Sequence, residues 1–332
     1  MIAALLAAWL TASAGLPGPS RGGRPEAHVQ NASCEGCHVE VAREWRGSLH
    51  QRAYVDESFA RALAREPAAF CRGCHAPEAD PRAPAPAELA ELGVGCISCH
   101  VPQDRVIAGP GPGRGAAPHA VARAAWFGEP AACGGCHEFA FPGSGELMQA
   151  TLREHAASAY AATSCVDCHM PRRADGRRDH RFAASRDPGL LRRALAATAT
   201  RRGTAVDLVL RPGWVGHAVP TGDLFRRLVV EAEVADEQWQ VLAAEARPLG
   251  RRFAAEHGRK APIADERVGA DGPGPTAVTL ELGPAAEGRT IRWRVVYERV
   301  EFMRDAEGSA VVEARVPVAE GALPAGARRG RR

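Results

Sequence analysis

Five times in this chain a cysteine is followed three residues later by a second cysteine and then at once by a histidine: Cys34, Cys37, His38; Cys71, Cys74, His75; Cys96, Cys99, His100; Cys133, Cys136, His137; and Cys165, Cys168, His169. These copies use all 10 cysteines, so none is left over for a disulfide or a free thiol. Cys-X-X-Cys-His is the attachment signature of c-type haem. The two thiols add across the haem vinyl groups, and the adjacent imidazole lies where it can ligate the iron from one face. One short helical turn points both sulfurs and the ring the same way. A disulfide framework or zinc ribbons would also use many cysteines, but neither requires histidine directly after the second one. With 12 His in 332 residues, five such coincidences have a chance on the order of one in ten million. A thioredoxin-type redox site would need a βαβ setting, which these motifs lack. The pattern predicts five covalently bound haem c groups, each with its iron, held by the ten cysteines with His38, His75, His100, His137 and His169 as proximal ligands.

Each haem iron has a second axial position. An imidazole there gives a low-spin iron suited to electron transfer, and an open position gives an iron that binds a substrate. Seven histidines remain: His28, His50, His119, His155, His180, His217 and His257. His50, His119, His180 and His217 are the leading distal candidates, followed by His28, just before the first motif. His155 sits on an expected helix leading to the fifth motif, as a ligand or as a helix-face residue. His257 lies in a charged segment and reads as solvated. Methionine is the other common axial ligand. Met170 directly follows His169 and cannot easily reach the opposite face of that haem, while Met148 and Met303 read as packing residues. Mostly bis-histidine ligation is expected.

The elements that must position these groups fall into two regions. From His28 to about residue 197 the sequence reads as a mainly α and irregular domain with a haem-filled core, its helical pieces at 40–45, 57–65 and 148–162. Pro77, Pro102 and Pro171 each stand two residues after a ligand histidine, where they end the haem-bearing turn. Residues 15–27 read as a Pro/Gly-rich linker and 109–115 as a flexible loop. Beyond about 200 the cysteines vanish and period-two alternation appears at 204–210, 227–234, 238–244, 276–282, 290–299 and 310–316. Six short strands over 200–320 suggest a small all-β, sandwich-like domain. Residues 251–264 stay unassigned, as loop or short helix, and 321–332 read as a basic tail.

Composition sets the outer bounds. Aromatic residues are only 5% of the chain and charged residues 24%, at a formal charge of +3. Five macrocycles would supply the apolar surface that a sparse aromatic core lacks. The cations are arginine throughout, save Lys260. No basic stripe with interleaved aromatics occurs, so nucleic-acid binding is not expected. Residues 1–14 form an apolar run ending Ala12-Ser13-Ala14, like a signal peptide with its cleavage site, though without a positive leading segment. The run is too short to span a bilayer, and no other stretch is long enough. A periplasmic or extracellular location is expected, since haem c is attached outside the cytoplasmic membrane in bacteria.

Several segments together give a resemblance: CEGCH followed by WRGSLHQRA (45–53), FCRGCHAPEA (70–79), GVGCISCH (93–100), CVDCHMP (165–171) and GHAVPTGD (216–223). In these the chain resembles the multihaem cytochromes c of the cytochrome c-554 and hydroxylamine oxidoreductase superfamily. The resemblance implies distal ligation by His50 and His217. His180, in its His-x-Phe setting, is similar to a further ligand position, and His119 is a weaker match. Two features depart from relatives that are enzymes. Pentahaem nitrite reductases carry a Cys-X-X-Cys-Lys haem, whereas here all five motifs end in histidine. Hydroxylamine oxidoreductase has eight haems and a tyrosine cross-link, and nothing marks Tyr54, Tyr160 or Tyr297 for that role. The leading expectation is therefore an electron carrier with no catalytic residue of its own. It would exchange electrons with other cytochromes, a quinol-linked membrane oxidoreductase or a terminal reductase. An oxidoreductase acting on a small nitrogen or sulfur compound at one open haem is the alternative, with His155 a surplus imidazole to examine. A cytochrome-filament subunit is a third reading.

Overall fold

The structure is a computed structural model that describes residues 18, 23–111, 117–142, 145–256, 259–304 and 309–325. The expected leader, His257 and residues 326–332 lie outside the described residues. The chain divides into two compact units, Met1–Phe139 with Thr163–Ala183, and Ala140–Ala162 with Ala184–Arg332. The division is interleaved, where the sequence suggested a single cut near residue 197. No helix among the described residues is long and apolar enough to cross a membrane.

The first unit is built from short helices: Ala27–Cys37, Val39–Trp45, Glu57–Arg65, Ala69–His75, Ala87–Leu92, Cys96–His100, Ala131–His137 and Cys165–His169. A two-residue parallel pair, β1 (Ile107–Ala108) and β2 (Ala122–Arg123), joins them. Each haem-type motif lies on one of these helices or at its end. Four of the helices stop on the motif histidine itself. In three of those Pro77, Pro102 or Pro171 follows two residues later, where it cannot continue the helix. The Asp56 side chain accepts from Ser58 N at 3.2 Å and caps the helix at Glu57. The buried core here is thin: Trp45, Leu89, Leu92, Ile97 and Val101 with Ala27, Ala76 and Ala79. Three of its eight members are alanine, so the unit's own side-chain core is small.

The second unit holds two larger antiparallel sheets. β4 (Leu147–Ala150), preceded in the chain by β3 (Glu138–Ala140), runs into the helix Thr151–Ala156, so the helix expected over 148–162 is shorter and begins later. After the helix Pro188–Ala194 come β5 (Leu195–Arg202) and β6 (Ala205–Pro212), then β7 (Arg226–Ala235) and β8 (Val241–Leu249). β9 (Arg251–Glu256), β10 (Arg259–Asp265), β11 (Thr276–Glu281), β12 (Ile291–Met303) and β13 (Ala310–Leu323) complete the order. One sheet runs β11-β6-β5 and the other β13-β12-β7-β8. Alternate residues point inward: Val206, Leu208 and Leu210 from one sheet, and Leu228, Val230, Ala232 and Val234 from the other. Both sets belong to one continuous core with Val278, Leu280, Ile291 and Val295. The unassigned insertion is the β9–β10 hairpin, and β5 is a strand the sequence reading missed. β5 reads LAATATRR, whose small side chains give only a weak alternation signal.

Candidate functional site

In the first unit the five motifs come together in a definite order. Asn31, fully buried on the helix of the first motif, accepts from Cys96 N at 2.7 Å and so ties that helix to the start of the third motif. Cys34 and His38 lie close enough to Cys96 and His100 to shift them electrostatically. The thiols of Cys74 and Cys136 lie close enough to shift each other, as do those of Cys133 and Cys165. Cys99 acts on both Cys133 and Cys136. The third motif thus neighbours the first and the fourth, and the fourth neighbours the second and the fifth. Burial pushes the Cys96 thiol up to about 12 and the Cys71 and Cys99 thiols to about 11, so these sulfurs are neutral at neutral pH. None of the ten cysteines forms a disulfide. Among the described residues no three His, Cys, Asp or Glu side chains converge as a bare-ion site.

The imidazoles are oriented by main-chain carbonyls. Nδ1 lies 2.6 Å from Ala53 O in His75, 2.9 Å from Ile107 O in His100 and 2.8 Å from Ala183 O in His169. A carbonyl only accepts, so Nδ1 carries the hydrogen and Nε2 is left as the nitrogen with a lone pair to offer a metal. Phe59 stacks on His75 with ring centres 3.7 Å apart and planes within 8°, fixing the ring further.

Two of the candidate distal histidines face motif histidines. The ring centres of His50 and His137 are 6.2 Å apart, and those of His100 and His180 are 6.4 Å apart. A ligating nitrogen lies about 2 Å from its metal and roughly 1.1 Å from its own ring centre, so two imidazoles on opposite faces of one metal stand about 6.2 Å apart. Both pairs match that spacing. His50 Nδ1 is buried without a hydrogen-bond partner, an orphaned polar atom that asks for a further group nearby. Burial first, then the charges of His137, His169 and His75, push His50 down to about 3. Burial likewise lowers His100 and His180. All three are held as neutral imidazoles, the form that binds metal.

Local structure explains these placements. Trp45 donates through Nε1 to Val94 O at 2.9 Å, and Val94 N donates to His50 O at 2.9 Å. The WRGSLH and GVGC segments therefore clamp each other, and Gly93 at φ +55° is what lets them approach. His180 Nδ1 is 2.9 Å from Arg178 O. Its backbone N–H donates to Glu44 Oε2 at 3.0 Å, and Glu44 pairs with Arg173 and Arg177. Phe182, at φ +52°, meets the His50 ring edge-on at 4.3 Å and the His180 ring at 5.8 Å. Asn31, Glu44 and Phe59 carry no spacing signature, and sequence reasoning passed over all three; Phe182 entered it only as the end of the His-x-Phe stretch.

The remaining candidates differ in enclosure. His28 lies on the helix Ala27–Cys37 with Nδ1 3.0 Å from Pro25 O, and His119 is exposed with Nδ1 3.4 Å from Ala120 O. His217 and His155 belong to the second unit. His217 Nδ1 is 3.0 Å from Ala218 O. His155 is buried, with its ring against the backbone of Gly216. The loop bearing His217 is pinned by Glu154, whose Oε2 accepts from Ala218 N at 3.3 Å and Thr221 Oγ1 at 2.5 Å and whose Oε1 pairs with Arg267 at 2.7 Å.

Residues 33–101, which carry the first three motifs, match the family model described as cytochrome c554 and c-prime. Among solved structures the chain is similar to a penta-heme cytochrome c552 from Thermochromatium tepidum, with a TM-score of 0.68 and 22% identity over 88% of this chain and 97% of that one. The chain thus shares the fold of a penta-heme cytochrome c, and its residues 33–101 resemble a cytochrome c554 family. A beta-glucuronidase from glycoside hydrolase family 2 also matches, at a TM-score of 0.17 and 9% identity over 40% of this chain and 11% of that one, and carries no argument. No curated protein matches the chain. Its Cys-X-X-Cys-His helices, carbonyl-oriented imidazoles and facing ring pairs fit covalently bound haem c.

Proposed function

We propose that this chain is an exported pentahaem c-type cytochrome that carries electrons between redox partners on five covalently bound, mostly bis-histidine haems. The observation that carries the reading is the pair of facing imidazoles, His50 with His137 and His100 with His180, each at the separation one metal requires. Each bound haem supplies one-electron chemistry at its iron. The ten cysteines anchor the groups, and His38, His75, His100, His137 and His169 ligate one face. His50 completes the fourth site and His180 the third, while His28, His119 and His217 are the candidates for the others. The protein's work is to fix spacing, exclude water and set potentials through ligation and burial. The order of the motifs, with the first beside the third, the third beside the fourth, and the second and fifth flanking the fourth, supports one connected array.

The test is the EPR spectrum of the ferric holoprotein with integrated high-spin signal, followed by a cyanide or nitric oxide titration. Low-spin haems that bind no added ligand are expected. His50→Ala and His180→Ala should each convert one further haem equivalent to high spin. Were neither variant to change the spectrum, the pairing would be wrong. A native high-spin equivalent that binds the added ligand would instead favour an oxidoreductase acting at an open haem.

A further inference from the structure

The two middle positions of a Cys-X-X-Cys-His motif carry no demand of their own for haem attachment. In the first motif one of them is Glu35, and its carboxylate is nearly enclosed. The Glu35 side chain is 13% exposed, against 69% for its partner Arg46. Glu35 stands four residues after Asn31 on the helix Ala27–Cys37, so the two side chains share a face. Asn31 is fully buried. Its Oδ1 accepts from Cys96 N at 2.7 Å, and its Nδ2 donates to Glu35 Oε1 at 2.8 Å. Glu35 Oε2 accepts from Arg46 Nε at 2.7 Å. The chain Arg46–Glu35–Asn31–Cys96 thus runs from an exposed guanidinium to the first cysteine of the third motif. Its polarity is fixed. Cys96 N–H can only donate and the carboxylate can only accept, so the amide oxygen must face the third motif and the amide nitrogen must face Glu35.

Cys96 opens the helix Cys96–His100, whose leading N–H groups have no partner within the helix. Asn31 supplies one from another element. The fit is close: a Cβ on Gly95 would stand 2.6 Å from Asn31 Oδ1 and 2.7 Å from Leu92 Cδ1. The carboxylate that Asn31 holds therefore stands at the join between two motifs. Burial and then the Glu35 charge raise the Cys34 thiol, and burial, then Cys34 and Glu35, push the Cys96 thiol up to about 12. Both sulfurs are haem attachment points, so a charge near both stands near both haems. An anion beside a haem opposes the arriving electron. Arg46 offsets only part of that effect, because an exposed cation is screened by water and salt while the enclosed carboxylate is screened less.

We propose that Glu35 is a potential-setting residue shared by the haems of the first and third motifs, lowering both midpoints together, with Arg46 offsetting part of its charge. This rests on the haem reading above, so haem is counted first, by the pyridine haemochrome of the purified holoprotein. Potentiometric titration then compares that protein with Glu35→Gln and Arg46→Gln. Glu35→Gln keeps an acceptor for Asn31 and loses the charge. Two midpoints should rise, so that at a fixed potential near them the ferrous-to-ferric ratio of each haem grows severalfold, while the other three stay in place. Arg46→Gln, at an exposed position, should lower the same two. In a His180→Ala background the third-motif haem is the high-spin one, and the midpoint of its EPR signal should be among the two that Glu35→Gln raises. Fewer than five haems per chain would overturn the haem reading and this proposal with it. Five haems with unmoved midpoints in Glu35→Gln, or a shift confined to one haem, would overturn the proposal alone. So would midpoints that Arg46→Gln raises or leaves in place.

Discussion

Glu44 decides how one of the two facing imidazoles is held. Its side chain is only 10% exposed, and it accepts the His180 backbone N–H while pairing with Arg173 and Arg177. Removing the carboxylate frees the segment that aims His180 at His100 and strips an anion from beside that site. An electron arriving at the haem adds negative charge, so a neighbouring anion opposes reduction and its loss favours it. Glu44→Gln keeps an acceptor for the His180 N–H but not the charge. One midpoint potential should therefore rise, by roughly 40–60 mV for an interaction of about 1 kcal/mol, with all haems still low-spin. Glu44→Ala should raise the same potential and also bring a high-spin fraction that added imidazole reverses. Potentiometric titration with EPR checks both. Unchanged midpoints in both variants would leave Glu44 a mere packing residue. A high-spin signal in His180→Ala but none in Glu44→Ala would keep the ligand and discard only its positioning by Glu44.

At the level of elements, the clamp between WRGSLH and GVGC turns two sequence motifs into one ligand mount. A Cβ on Gly93 would stand 2.6 Å from the His50 carbonyl oxygen and closer still to that of Gln51, and both are backbone atoms that cannot swing aside. The positive φ adds its own cost. Gly93→Ala should therefore destabilise the first unit by about 1–3 kcal/mol or more and displace His50. The spectrum should gain one high-spin equivalent, the same one that His50→Ala produces. A variant that melts lower but stays low-spin would separate the fold of the clamp from its ligand role. The motif helices and the β-rich second region were legible in the sequence because both rest on short-range patterns: fixed Cys-X-X-Cys-His spacing, proline after the ligand, and period-two alternation. Glu57–Arg65 was read with its observed bounds because an aspartate cap and an amphipathic face frame it. The β9–β10 hairpin was missed because RRFAAE and RKAPIAD lack clear alternation. The tie from Asn31 to Cys96 spans 65 residues, and Glu44 reaches His180 across 136. Single buried polar residues acting over such separations leave no local trace.

For the whole molecule, the interleaved division is the property that sequence order concealed. Residues 140–162 lie between the fourth and fifth motifs in the chain, yet their partners are in the β-rich unit. Glu154 pairs with Arg267, the two side chains 6% and 5% exposed, and Arg251 binds the Leu147 and Met148 carbonyls. Phe141 meets the Phe253 ring edge-on at 5.4 Å. Arg267 keeps Asp265 when Glu154 is removed, but Ala218 N and Thr221 Oγ1 lose their acceptor, so Glu154→Ala should cost the second unit about 1–3 kcal/mol. Glu154→Gln should cost less, since its amide oxygen still accepts from Thr221. Denaturation followed by tryptophan fluorescence can compare them. The same contacts make a cut after residue 197 unlike an ordinary domain boundary. A fragment 1–197 keeps every motif but strips 140–162 of Arg251, Phe253 and Arg267 and exposes His155. Limited proteolysis of that fragment should therefore cleave within 140–162 while the motif helices stay protected, and the full-length holoprotein should resist there. Equal resistance in fragment and full chain would mean that 140–162 folds on contacts to its sequence neighbours, and the interleaved division would then have no energetic weight.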